Sequence, residues 1–289
     1  MPLYRDEKSP LMKHIVGFSG GIDSQACALW VRQQFPAEDI ILLNSNAGGN
    51  ESPITEMFIE EYSRTVFPVT HAHGIVADMW KTEGFAERKG LDGNAPLTFT
   101  EMIKIKGRPP SRKAQFCTEK LKLEPQRRWV DENVNDDYER YTGVRRDESD
   151  ARKDTPFREW DKYFDCYVNH PIADWPKSKC FEYVTAQGEE YNPLYKLGFG
   201  RVGCAPCINS GKDDILLWQQ RFPEMIEKVR RMELETGRTF FAPMVPGMYT
   251  NTIDQVLEWA TTARGGRQQD FIRIYEERPA CESKFGLCE

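Results

Sequence analysis

A chain of 289 residues has room for one large α/β domain, or for an ordinary one with an appendage. With 39% hydrophobic and 29% charged residues it reads as a soluble, folded chain rather than a disordered one, and no apolar run approaches the roughly 20 residues of a membrane span. A net charge of −6 excludes a globally basic nucleic-acid binder, and residues 1–8 lack the apolar stretch of a signal peptide, so the expected compartment is the cytoplasm.

In chain order, the apolar run 13–18 ends at Ser19-Gly20-Gly21 and reads as a buried strand. Apolar positions from Ser24 to about Gln34 then fit a helix packed on a sheet. A second strand over 40–44 runs into an Asn/Gly turn at 44–49. Pro53 opens a helix to about Thr65, and a third strand is expected from Val66. Strand–helix–strand–helix order predicts a doubly wound, mostly parallel sheet. Residues 84–115 read as a loop with one short helix around 99–105, and 138–144 as a later strand. Beyond 176 the pattern turns helical. Met225, Ile226, Val229 and Met232 share a face after Pro223, and Thr252 with Gln255 makes a capping box for a helix ending near Gly265.

Charge is unevenly spread. Residues 101–128 carry nine Lys or Arg against Glu101, Glu119 and Glu124, which points to a local anionic ligand or, more plainly, to a solvated face.

The loop Ser19-Gly20-Gly21-Ile22-Asp23-Ser24 is the most informative segment. Two residues without Cβ let the backbone approach an anion, successive N–H groups converge on it, and the helix N-terminus adds its positive end. Ser19 and Ser24 can add hydroxyls, and Asp23 can hold Mg²⁺ or cap the helix. No Gly-Lys-Ser/Thr ending follows, so this is not a Walker loop.

Ser-Gly-Gly-Ile-Asp-Ser after a first strand resembles the signature of the PP-loop ATP pyrophosphatases, and within them the phosphoadenosine phosphosulfate reductase family. Four further segments are similar to that family in order: Cys117 to Pro125, Gly143 to Arg152, His170 to Trp175, and Gly198 to Cys207. The resemblance implies an adenine-nucleotide-hydrolase-like α/β domain over 1–175, with a mainly helical region carrying cysteines over 176–289. It implies that residues 19–24 contact the phosphates of ATP, with Asn46, Gly143, Arg145 and Lys120 also at the nucleotide. Asp23, Arg145, Arg152 and Cys117 are the expected catalytic residues. Arg145 to Arg152 could equally form an ion-pair network with Asp147, Glu148 and Asp150.

Eight cysteines in a reducing compartment point to metal or thiol chemistry. Cys204-x-x-Cys207 has ligand spacing, and Cys281 with Cys288 forms a second pair. Together they are expected to hold one metal centre, a [4Fe–4S] cluster in preference to Zn²⁺. Some family reductases bind such a cluster through an adjacent Cys-Cys pair, where this chain has Cys117-Thr118, leaving Cys117 as a ligand or a sulfur carrier. A redox pair at Cys204/Cys207 competes with a metal.

Two reactions suit the resemblance. One is an ATP pyrophosphatase that adenylates an acceptor for sulfur transfer, as relatives do in DNA phosphorothioation and tRNA thiolation with a cysteine desulfurase as donor. The other is reduction of phosphoadenylyl or adenylyl sulfate to sulfite. Residues 285–289, Phe-Gly-Leu-Cys-Glu, depart from the reductases' Glu-Cys-Gly-Leu-His segment and favour the first. The partners expected are an adenine nucleotide, a sulfur donor and, compatibly, a nucleic-acid acceptor or a second copy of the chain.

Overall fold

The computed structural model describes residues 12–241 and 252–262. Six strands form one sheet in the order β3-β2-β1-β4-β6-β5: β1 (Met12–Gly17), β2 (Ile40–Ser45), β3 (Val69–Ala72), β4 (Asp137–Tyr141), β5 (Arg158–Asp161) and β6 (Cys166–Asn169). All pairs are parallel except β5 against β6, where Trp160 faces Tyr167. The doubly wound α/β expectation is met.

Both faces of the central strands are buried, as parallel strands under crossover helices must be. Val16, Leu42 and Tyr141 pack under α1 (Ile22–Gln34), α2 (Pro53–Thr65) and later α7 (Lys177–Ala186), which contributes Cys180 and Val184. Ile15, Leu43 and Ala72 point the other way, onto Val130 of α6 (Glu124–Asn133). Between β3 and α6 lie α3 (Phe85–Arg88), α4 (Phe99–Lys106), the short α5 (Phe116–Thr118) and a π-helical stretch, Glu119–Leu123. Their apolar side chains, with Phe99, Met102, Ile103 and Leu121, join those of α8 (Pro193–Lys196), α9 (Lys212–Arg221), α10 (Pro223–Thr236) and α11 (Ile253–Ala260) in a third core.

Several boundaries differ from expectation for local reasons. The third strand starts at Val69 because the amides of Val66 and Phe67 are spent closing α2 on the Tyr62 carbonyl. The strand expected over 138–144 stops at Tyr141, after which the chain turns out of the sheet toward β1. The capping box of Thr252 and Gln255 forms as expected, but its helix ends at Ala260 rather than near Gly265. The hairpin β5–β6 was not anticipated. No helix among the described residues is long and apolar enough to cross a membrane.

Candidate functional site

β1 is the strand at which the order reverses, with β2 on one side and β4 on the other. The loops leaving the carboxyl ends of β1 and β4 flank this switch point, the position where open α/β sheets bind ligands. Residues 18–21 form one wall and residues 142–146 the other.

The wall after β1 is built from short polar contacts. Ser24 Oγ donates to the Gly21 carbonyl at 2.9 Å and accepts from Ser19 N–H at 3.2 Å, and the two serine hydroxyls lie 3.1 Å apart. Gly20 takes a φ of +78°, and a Cβ there would meet Ile59 at 3.0 Å, so both conformation and space call for glycine. Gly21 is the N-cap of α1 and supplies no side-chain cap, which leaves the first helical amides to be satisfied from elsewhere. Ile22 N–H donates to the Tyr195 hydroxyl at 3.1 Å, while Asn192 Nδ2 donates to the Gly20 carbonyl at 3.3 Å. Tyr195 and Asn192, more than 170 residues downstream, are thus parts of the loop's support. Sequence reading missed both, since Asn192-Pro193 signals only a helix start.

The wall after β4 touches the loop directly. A Cβ on Gly143 would lie 2.6 Å from the Asp23 carbonyl carbon and oxygen and 2.8 Å from Ser24 N. Arg145 Nε sits 2.9 Å from Asp23 Oδ1, both side chains almost fully buried, and Arg145 also pairs with Asp147. Through this pair Asp23 ties the N-terminus of α1 to the β4 loop. Arg152, only 1% exposed, pairs with the equally buried Glu148 one turn away, and Arg146 pairs with Asp174. An ion-pair network therefore runs through this segment, and it is mostly buried. Arg145 and Arg152 thus each face a carboxylate, while in the loop the amides of Ser19, Gly21 and Ile22 donate to Ser24 Oγ, Ser19 Oγ and the Tyr195 hydroxyl.

Asn46 and Lys120 each have a carboxylate partner of their own. Asn46 donates to Glu56 at 2.7 Å and accepts from Gly49 N–H at 2.6 Å, closing the turn after β2. Lys120 is buried against Glu119 at 3.0 Å and Glu124 at 3.3 Å.

A second constellation lies on the far side of that turn. Glu51 bridges to Cys204 in backbone pairing, Ala205 N–H donates to the Asn50 carbonyl at 2.8 Å, and Asn50 Nδ2 donates to the Pro206 carbonyl at 3.1 Å. These contacts seat the Cys204–Cys207 turn on the segment leaving β2. Cys117, Cys204 and Cys207 line one small cavity together with Ala47, Lys122 and Arg201. Its hydrogen bond with Cys207, aided by burial, pushes the Cys204 thiol well up, against the nearby Lys122. Cys207 Sγ accepts from Asn209 N–H at 3.4 Å. Burial pushes the Glu51 carboxyl up to about 7, opposed by Lys122, whose Nζ is 4.0 Å away.

Cys117, expected as a cluster ligand or a sulfur carrier, is brought by the fold to the same cavity as Cys204 and Cys207. Cys281 and Cys288 lie outside the described residues. Among the described residues no three His, Cys, Asp or Glu side chains form a ready metal site. Cys27, Cys166 and Cys180 are buried thiols, consistent with packing roles.

A doubly wound sheet with a glycine-rich anion loop at its switch point defines an α/β nucleotide-binding protein. The phosphoadenosine phosphosulfate reductase domain matches residues 13–210, and the chain belongs to that family. Among curated relatives, an uncharacterized 37.8 kDa protein of Escherichia phage 186 is 31% identical over 217 residues, covering 66% of this chain and 64% of its own. The adenosine 5'-phosphosulfate reductase of Allochromatium vinosum is 32% identical over 139 residues, 45% of either chain. The chain thus spans less than two thirds of the length of these relatives. A phosphoadenylyl-sulfate reductase structure from Candida auris, in phosphate complex, aligns with 17% identity and a TM-score of 0.45 over 68% of this chain and 82% of that one.

Proposed function

We propose that the protein is an ATP pyrophosphatase that adenylates an acceptor for sulfur transfer, with phosphoadenylyl or adenylyl sulfate reduction as the alternative. The observation that carries the reading is the clasp at the switch point: Gly143 pressed on the Asp23 backbone and Arg145 buried against the Asp23 carboxylate, beside the glycine turn that opens α1. The positive N-terminal end of α1, held in place by that clasp, favours the charge of a departing pyrophosphate.

In this reading an acceptor oxygen attacks the α-phosphorus of ATP. The bond to the α,β-bridging oxygen breaks, pyrophosphate leaves with the electron pair, and the acceptor's proton passes to water. A sulfur nucleophile from a donor such as a cysteine desulfurase then displaces AMP. Asp23 and Arg145 act as positioning residues for the loop. Mg²⁺ would travel with the nucleotide's own phosphates, because the loop's only carboxylate is committed to Arg145. The cavity of Cys117, Cys204 and Cys207 supports thiol or metal chemistry close to the turn after β2, although no step is assigned to it.

The reductase alternative is favoured by the named relatives, which include several adenosine 5'-phosphosulfate reductases matching 23% to 45% of the chain. Anaerobically purified protein is assayed for pyrophosphate release from ATP with Mg²⁺, and in parallel for sulfite release from phosphoadenylyl and adenylyl sulfate with thioredoxin. Pyrophosphate without sulfite, lost in Asp23→Ala, is the expected result. Sulfite without pyrophosphate establishes the reductase, and neither product overturns both readings.

A further inference from the structure

The basic stretch 101–128 divides into two unlike halves once its carboxylate partners are known. In the later half every cation is neutralised: Lys120 by Glu119 and Glu124, Lys122 by Glu51, Arg127 by Asp131 at 3.6 Å and Arg128 by Asp78 at 3.1 Å. In the earlier half Lys104 lies 3.9 Å from Glu101 and 3.8 Å from Glu235. Lys106, Arg108, Arg112 and Lys113 are exposed, no ion pair engages them among the described residues, and no Asp or Glu occurs from 102 to 118.

These four cations are presented by a shaped segment. Gly107 ends α4 in the left-handed conformation, and Pro109-Pro110 follows. Ser111 and Ala114 exchange backbone hydrogen bonds of 3.2 and 3.0 Å, which places Arg112 and Lys113 at the tip of a two-residue turn. Lys106 and Arg108 both lie over the Phe116 ring, at 5.7 and 5.1 Å from its centroid. The next residues are Gln115 and Cys117, which line the three-cysteine cavity.

We propose that residues 104–115 bind a nucleic-acid backbone and lay it beside that cavity. Fixed, unpaired cations without neighbouring carboxylates match a polyphosphate chain and gain affinity by releasing its counterions. An acidic protein partner fits less well, since stable protein interfaces need an apolar centre. The large exposed apolar side chains of the described residues, Met57, Phe157, Trp160, Tyr167 and Leu234, all lie outside this segment. The inference deepens the proposed function by naming its acceptor class, and it rests on that reading for the word acceptor only.

The test is fluorescence anisotropy of the full chain with labelled 20-nucleotide single- and double-stranded oligonucleotides, without ATP, from 50 to 200 mM salt. Four phosphate contacts give a log–log salt slope of about −3 to −4, an affinity loss of roughly 50- to 150-fold across that range. The variant K106A/R108A/R112A/K113A, checked for an unchanged melting temperature, should bind at least tenfold more weakly with a slope near zero. The control K89A/K162A/K179A, which removes exposed charge elsewhere, should bind like the parent. Equal loss in both variants, equal binding of poly-glutamate, or no oligonucleotide binding overturns the inference. Pyrophosphate release without oligonucleotide binding refutes the surface alone, whereas binding without pyrophosphate release refutes the adenylation reading alone.

Discussion

At the residue scale, the site depends on one missing Cβ and one buried ion pair. A methyl group on Gly143 has nowhere to go, because its neighbours are the backbone atoms of Asp23 and Ser24 rather than the end of a flexible side chain. Gly143→Ala should therefore destabilise the protein by about 1–3 kcal/mol through overpacking and weaken nucleotide binding more than stability alone explains. Calorimetric titration with ATP beside a thermal melt checks both. Arg145→Gln should cost about 3–5 kcal/mol in urea unfolding, since it removes the cation facing the buried Asp23 carboxylate, and Asp23→Asn should cost less, since Asp147 still pairs with Arg145. The double variant should cost clearly less than their sum; additive costs would mean that the two groups are not coupled.

At the element scale, His170 joins the edge hairpin to the end of β4. It lies 2.7 Å from the Thr142 hydroxyl through Nδ1 and 3.5 Å from Glu159 of β5 through Nε2, with Arg140 and Arg152 also facing it. Burial lowers its pKa from the ordinary 6.5, despite the opposing pull of Glu159. The unfolded chain then takes up a proton that the folded one refuses, so this group costs stability as pH falls below about 6.5 and nothing above it. Denaturant midpoints measured from pH 8 to 5 should fall less steeply in His170→Gln than in the parent, and identical slopes would refute the assignment. The edge strand itself is guarded. Any in-register antiparallel pairing of β5 with a second copy centred on residues 158 to 161 sets like charges opposite one another, among Arg158, Glu159, Asp161 and Lys162.

At the scale of the whole molecule, two cores run across residue 175. Cys180 and Val184 of α7 complete the packing over α1, while Trp218, Met225 and Val229 pack with Phe99 and Met102. A protein whose halves share cores is expected to unfold as one unit. Far-ultraviolet circular dichroism and tryptophan fluorescence should trace the same transition, and Trp218→Ala should shift both by about 3–5 kcal/mol. Separate transitions would mean that the two regions are independently stable.

The β1 strand, the Gly20-Gly21 turn and α1 were legible from the sequence because they are local: an apolar run, residues without Cβ, and a helix following within six positions. The α2 helix and the buried stripe of Met225, Ile226, Val229 and Met232 were legible for the same reason, since helical period is written in adjacent residues. Family membership also came from short segments read in order. The partners could not be read that way. Sequence placed Asp23 at a helix start and Arg145 after a strand, but only the parallel pairing of β1 with β4 brings them within 2.9 Å. Likewise nine clustered cations looked alike until folding delivered Glu51, Asp78 and Glu124 to some of them and none to the 106–113 segment. Local propensity acts over a few residues, whereas charge compensation is decided by whichever side chains the completed fold carries into reach.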